Sequence, residues 1–308
     1  TMGNVEVLRR EIGVLGAMGS CGRTEKSNVG CFGKFSKIGF TNMIDKKNRK
    51  VALVTGASGG IGREIAEILL IKGYDLLLVA RSLDKLEAIQ AEFKTIASAR
   101  DVAVLQADLS QSSAPKMIFD FTKEKNISVD ILVNNAGVGI SGVIDEYSEE
   151  ALLKMILLNT FSLTALCKYF APQMKARRSG NILNIASLAG YQPVPYLAAY
   201  SASKSYVLNF SEAIAMELEE DGVSVSCYSP GHTDTEFWDR AEISKDNKFY
   251  GQKTRVSPKD VAQGAVEKMF KGKLSSIYGF KNNVMAFGSG ISPSRKLTAR
   301  ISKRLVSK

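Results

Sequence analysis

From residue 50 onward the chain alternates short apolar runs with longer segments whose apolar residues recur every three or four positions. The runs Val51-Ala52-Leu53-Val54-Thr55, Asp75 to Ala80, Val102 to Ala107, Val129 to Val133, Asn181 to Ala186 and Val223 to Tyr228 read as strands buried on both faces. After the first run, Ile61, Ile65, Ala66, Ile68 and Leu69 keep helical spacing up to Gly73, which suits a helix C-cap. Further helices are expected over residues 82–98 and 148–177, and through the alanine-rich stretch carrying Tyr200 and Lys204. Another opens at Ser257-Pro258, with serine at the N-cap and proline at the first helical position, and runs to about Phe270. Ser275 to Tyr278 is a last short strand. Apolar strands alternating with amphipathic helices predict an α/β protein: a single-domain, Rossmann-type, doubly wound parallel sheet of about seven strands with helices on both faces.

The two ends do not follow this pattern. Residues 1–49 are rich in glycine, hold no sustained periodicity beyond Val5 to Leu15, and are expected to be a poorly ordered or targeting-like extension. Residues 281–308 place Ile291, Leu297, Ile301, Leu305 and Val306 among Arg295, Lys296, Arg300, Lys303 and Arg304, the composition of a basic amphipathic tail. The expected domain therefore spans residues 50–280. Charge follows the same division. The net charge is +10, but residues 1–50 carry ten Lys/Arg against four acids and residues 281–308 seven against none, so the middle of the chain is slightly acidic. Basicity confined to the ends argues against nucleic-acid binding, which asks for a basic folded face. A basic amphipathic tail instead suits peripheral contact with an anionic membrane, or packing on the domain or on a neighbouring subunit.

Cys21, Cys31, Cys167 and Cys227 form no CxxC, and the chain has one histidine, so no metal site is expected. Cys167 and Cys227 sit in apolar patterns and read as reduced core residues, which fits a cytoplasmic setting. No stretch reaches the ~18 uninterrupted apolar residues of a membrane span.

The candidate chemistry gathers where the strands end. Gly56-Ala57-Ser58-Gly59-Gly60-Ile61-Gly62 lies between a strand and a helix, the context in which glycines let a backbone approach a pyrophosphate held by free helix N–H groups. At the end of the second strand, where NAD-binding versions place an acid, stand Arg81 and Ser82. An arginine can pair with a 2′-phosphate, so NADP is expected; the plainer alternative is a solvated helix-start residue. Asp108 and Asn134-Asn135-Ala136-Gly137 close the next two strands. Tyr200 and Lys204, four apart on a helix, project from one face. An ammonium beside a phenol favours phenolate and should lower its pKa toward neutrality, which would let the tyrosine exchange a proton with an alcohol or ketone oxygen.

Seven features occur in one order: Thr55-Gly56-x-x-x-Gly60-x-Gly62, Asp108, Asn134-Asn135-Ala136-Gly137, Asn159, Ser187, Tyr200-x-x-x-Lys204 and Pro230-Gly231-x-x-x-Thr235. Together they resemble the short-chain dehydrogenase/reductase family over roughly residues 50–280. The resemblance implies Tyr200 as general acid/base and Lys204 as the residue that tunes it and bonds the nicotinamide ribose. Ser187 would hydrogen-bond the substrate oxygen, and Asn159 would hold a water linking Lys204 to solvent. Gly56, Ser58, Gly60, Ile61 and Gly62 would cradle the phosphates. Asp108 would contact the adenine, Asn135 with Ala136 and Gly137 the adenosine ribose region, and Thr235 with Pro230 and Gly231 the carboxamide end. His232 falls outside that set and reads as a loop residue near the cofactor.

The loop Leu188 to Leu197, after Ser187, is apolar and aromatic, so a hydrophobic ketone or secondary alcohol is expected. The resemblance points to lipid, steroid or acyl ketones and to a homodimer or homotetramer built on long helices. The polar segment 236–254 follows a strand end, where a substrate lid would lie. The alternative function is a catalytically silent dinucleotide-binding regulator or membrane-recruited scaffold of the same fold.

Overall fold

The computed structural model describes residues 49–237 and 255–306. The expectations for residues 1–48 and for the segment around Trp238 lie outside the described residues. Seven parallel strands form one sheet: β1 (Val51–Thr55), β2 (Asp75–Ala80), β3 (Val102–Gln106), β4 (Val129–Asn134), β5 (Gly180–Ile185), β6 (Val223–Ser229) and β7 (Ser275–Ile277). Their order is β3-β2-β1-β4-β5-β6-β7, so the chain winds outward from β1 in one direction, then from β4 in the other. The crevice between β1 and β4, where direction reverses, is where such sheets bind ligands.

Helices cover both faces. Along β1 the pleat sends Leu53 to one face and Ala52 and Val54 to the other. On the first face α3 (Ala114–Glu124), α5 (Leu163–Arg177) and α6 (Ala198–Leu218) pack through Ile118, Phe170 and Val207. On the second, α1 (Gly60–Ile71), α2 (Leu83–Ile96) and α7 (Pro258–Phe270) pack through Ile65, Leu69, Phe93 and Val261. Leu69, Phe93 and Val207 are fully buried; each such side chain contributes about 1.5–3 kcal/mol relative to exposure.

Local signals work as their chemistry predicts. Helix α1 ends in a Schellman turn: Gly73 has φ +91°, its N–H donates to the Leu70 carbonyl, and that of Tyr74 to the Leu69 carbonyl. Ser257 caps α7 by accepting from the Lys259 N–H at 3.2 Å, with Pro258 at the first helical position. Arg49 stands two residues before β1. Its guanidinium, 3.0 Å from both Asp75 and Asp101, ties the chain entry to β2.

The expected helix over 148–177 is present but not uniform. Helix α4 (Glu149–Ile156) passes into a π-helical stretch, Leu157–Ser162, before α5 resumes. By length and composition Glu149–Arg177 could cross a membrane; here Leu166, Phe170 and Met174 lie in the core.

The basic segment that follows β7 is helical. Helices α8 (Phe280–Gly290) and α9 (Arg295–Val306) follow β7. Ser289 Oγ donates to the Tyr191 carbonyl at 3.1 Å, and Lys303 Nζ stands 5.8 Å from the Tyr196 ring centre. Both helices thus hold onto the loop after Ser187.

Candidate active site

A cavity of about 710 Å³ lies at the carboxyl ends of the strands. One end is walled by Gly56, Gly59, Gly60, Ile61, Arg81, Asp108, Asn135, Ala136 and Gly137, the other by Ser187, Val194, Tyr200, Phe237 and Met285, with Lys204 between. The turn from β1 to α1 is built for close approach. Gly56 (φ +65°) and Gly60 (φ +54°) hold conformations that L side chains resist. A Cβ on Gly56 would stand 2.8 Å from Asn135 Nδ2, and one on Gly62 would overlap both that atom and the Gly56 carbonyl oxygen. Nothing lies within 4 Å of the place a Cβ would occupy on Gly59. A bare backbone at a helix N-terminus, facing a cavity with an arginine at the next strand end, fits a dinucleotide.

Asn135 holds this turn rather than facing outward. Its Nδ2 donates to the Thr55 and Gly56 carbonyls at 3.0 and 3.3 Å, while the Thr55 hydroxyl accepts from the N–H groups of Asn135 and Ala136. The β4 end is thereby pinned to the glycine turn, and Asn135 reaches the cavity as a support of its wall. Asp108 Oδ1 accepts from the Ser110 N–H and hydroxyl, which fixes its carboxylate at the cavity's edge.

Helix α6 places Tyr200 and Lys204 one turn apart, both almost fully buried. Lys204 Nζ donates to the Ile185 carbonyl at the end of β5, at 2.9 Å, and stands 6.0 Å from the Tyr200 ring centre. Gly190 lets the loop press onto this helix: a Cβ there would meet the Lys204 carbonyl oxygen at 2.8 Å. The Ser187 hydroxyl accepts from the Ala189 N–H at 3.2 Å, and Ser187 and Tyr200 line the same cavity.

The electrostatics correct the expectation for Tyr200. Burial pushes its phenol up to about 12, only partly opposed by the nearby Ser187 hydroxyl. Burial also pulls Lys204 down to about 8, with Cys227 opposing. Desolvation outweighs the attraction between ammonium and phenolate that the Tyr-x-x-x-Lys spacing suggested.

Asn159 lies behind the cavity wall rather than on it. The π-helical stretch turns its side chain inward, where Oδ1 accepts from the Val138 N–H at 3.0 Å and Nδ2 donates to the Val138 carbonyl and Ser203 Oγ. A Cβ on Gly137 would stand 3.3 Å from Asn159 Oδ1 and 3.4 Å from Lys204 Nζ, so the two side chains flank one point. A single widened turn reorients a residue in this way, and such turns concentrate at functional sites.

Of the expected cofactor residues, Ser58, Gly62 and Ser82 are also absent from the wall. Gly62 is buried beneath the turn; Ser82 is the residue before α2, where its backbone carbonyl accepts from the Leu86 N–H. Thr235 does reach the wall, and its methyl would lie 3.0 Å from a Cβ on Gly60. Pro230, Gly231 and His232 line the cavity beside it. Burial pulls the His232 imidazole down to about 4, aided by Arg255, so it is neutral at pH 7. The lining also includes Phe237, Asn282, Met285 and Ser302. The last three sit on α8 and α9, and only their proximity in the fold identifies them.

The family profile of the short chain dehydrogenases matches residues 50–246. An uncharacterized oxidoreductase of Staphylococcus saprophyticus is 35% identical over 217 residues, covering 70% of this chain and 89% of its own. A short-chain dehydrogenase from Sphingobium yanoikuyae, solved in complex with NADPH, superposes with a TM-score of 0.71 at 30% identity, covering 78% of this chain and 93% of its own. The bulky-bulky ketone specific alcohol dehydrogenase from Comamonas testosteroni gives 0.68 at 26% identity, covering 80% and 94%. The matched segment contains the whole constellation from Gly56 to Thr235, and the fold agrees along nearly the full length of both solved neighbours; this chain belongs to the short-chain dehydrogenase/reductase family of oxidoreductases, which work with a nicotinamide dinucleotide.

Proposed function

We propose that the protein is an NADP(H)-dependent reductase of hydrophobic ketones, such as lipid, steroid or acyl ketones, with Tyr200 as the proton donor. The observation that carries this reading is the seating of a buried Tyr200, with Ser187, in the same cavity wall as the glycine turn and Arg81. NADPH would supply the hydride. The glycine turn and the N-terminus of α1 would hold its phosphates, and Asp108 its adenine end. Arg81, exposed at the end of β2, is the group suited to a 2′-phosphate, and the NADPH held by the Sphingobium neighbour supports that choice.

At the other end, Ser187 would donate to the substrate oxygen and Tyr200 would protonate it as charge develops there. With its phenol held near 12, Tyr200 is protonated throughout the neutral range and therefore suited to act as an acid. Lys204, cationic below about pH 8, would stabilise the phenolate left behind. Asn159, braced on Val138, would order the path by which the proton returns.

The walls around Tyr200 support an apolar substrate. Val194, Leu197, Met155 and Tyr200 form a buried cluster, with Phe237 5.3 Å from the Tyr200 ring. The ketone specificity named for the Comamonas neighbour fits the same picture. Exposed apolar residues on the long helices (Leu153, Ile156 and Phe161 near α4, Tyr206 and Met216 on α6) support a homodimer or homotetramer through these faces. Buried free thiols at Cys167 and Cys227 suit a cytoplasmic protein, with the C-terminal segment available for peripheral membrane contact. Initial rates with NADPH and then NADH against bulky aliphatic, aromatic and steroid ketones test the proposal. NADPH-dependent turnover on one of these is expected; tight NADPH binding without turnover on any of them would favour a silent dinucleotide-binding regulator.

A further inference from the structure

Helices α8 and α9 are inside out. On α8 the side facing the body carries Asn282, Ala286 and Ser289, spaced four and three apart. The side facing away carries Phe280, Val284, Phe287 and Ile291, spaced four, three and four apart, and these are 82%, 54%, 69% and 66% exposed. On α9 the buried residues are Thr298 and Ser302, whereas Leu297 and Ile301 are about half exposed. A helix docked on a soluble core for stability alone does the reverse: it buries its large apolar stripe and exposes its polar side. An apolar face this size, left outward, marks a surface that something else covers.

The charges say what covers it. Lys281, Arg295, Lys296, Arg300, Lys303 and Arg304 lie on the same two helices, and residues 281–308 contain no acid. A second copy docked through this same face would bring an equal block of positive charge against this one, and an uncompensated block of that kind repels. A bilayer with anionic headgroups offers both complements at once: hydrocarbon for the aromatic and aliphatic stripe, and negative charge for its basic flank.

We infer that α8 and α9 form an interfacial docking surface for an anionic lipid bilayer, and that docking presents the substrate cavity to ketones dissolved in the lipid. The second clause rests on the function proposed above. It follows from position, because the inward side of the same helices supplies Asn282, Met285 and Ser302 to the cavity wall. Ser289 and Lys303 join them to the loop that carries the substrate end of the site.

The test is flotation of the full chain with vesicles of phosphatidylcholine containing phosphatidylglycerol, and with vesicles of phosphatidylcholine alone. Flotation with the anionic vesicles only, weakened by salt, is expected. Lys296→Glu with Arg300→Glu should reduce the bound fraction at least about tenfold, since each basic residue near such a surface contributes about 1 kcal/mol. Phe287→Asp should do the same through the apolar face, and both variants should turn over a soluble ketone in vesicle-free buffer at the wild-type rate. Failure to float with anionic vesicles overturns the inference. So does a soluble dimer that Phe287→Asp converts to monomers, because the face would then belong to a second copy. Flotation reads docking without any turnover, so a chain that floats but reduces no ketone would sink the catalytic reading and leave the docking surface standing. Anionic vesicles that bind the chain but do not raise the rate on a membrane-dissolved ketone would overturn the delivery clause alone.

Discussion

Lys204 and Tyr200 share one turn of α6 and one buried environment, yet the ammonium bonds the Ile185 carbonyl at 2.9 Å and stands 6.0 Å from the tyrosine ring. The lysine is therefore anchored to the sheet end rather than to the tyrosine. This arrangement stores a cost. A buried cation held at about 8, against 10.5 for a free lysine, destabilises the folded chain at neutral pH by roughly 3 kcal/mol.

That cost is measurable without substrate. Because the folded value is depressed, the penalty is fully present below pH 8 and disappears as pH rises from 8 to 10.5. Lys204→Met should therefore melt several degrees higher than the wild type at pH 7, with the difference shrinking by pH 10. A variant that melts lower at pH 7 would show that the bond to Ile185 outweighs desolvation.

The same shift sets the activity profile. In the proposed mechanism a Lys204 charged below about pH 8 would assist proton donation from Tyr200, and above it that help would be lost. Reductive kcat/KM should be level between pH 6 and about 7.5 and fall as pH rises through about 8. A profile flat to pH 9.5 would remove Lys204 from the proton-transfer step.

Arg81 stands at the end of β2 on the cavity wall. Arg81→Asp should move the NADPH-to-NADH ratio of kcat/KM toward NADH by about a hundredfold, the effect of losing a charge-assisted pair worth about 1.5–3 kcal/mol and adding repulsion. An unchanged ratio would mean that another group reads the phosphate.

Gly62 is required by its neighbours rather than by its own φ. Gly62→Ala should cost about 1–3 kcal/mol and weaken dinucleotide binding, because the new methyl would overlap Asn135 Nδ2 and the Gly56 carbonyl that shape the turn. Wild-type cofactor affinity in this variant, measured by fluorescence titration, would show that the turn tolerates displacement.

The strands and most of the helices were legible in the sequence because a parallel sheet buried on both faces writes continuous apolar runs, and the caps at Gly73 and Ser257 mark helix ends by local chemistry. Tyr200, Ser187 and the glycine turn were legible for a related reason: each lies where a predicted element ends or carries a short fixed spacing. Three things were not. The π-helical turn that aims Asn159 inward leaves no trace in a 3.6-residue period. The side chain of Asn135 is spent on the Thr55 and Gly56 carbonyls, 80 and 79 residues distant. Asn282, Met285 and Ser302 join the cavity only through the docking of α8 and α9, whose larger apolar residues Phe280, Val284, Phe287, Leu297 and Ile301 are exposed and so give the opposite of the usual packing signal.

The most direct test of the account compares NADPH oxidation by the wild type and by Tyr200→Phe on a bulky ketone that the wild type reduces, with NADPH affinity measured in parallel. Tyr200→Phe should lose at least about a hundredfold in kcat, the usual contribution of a positioned proton donor, while NADPH affinity should stay within about threefold because the proposed phosphate and adenine contacts lie elsewhere. A Tyr200→Phe enzyme that turns over at the wild-type rate would contradict the central claim, whatever its cofactor preference.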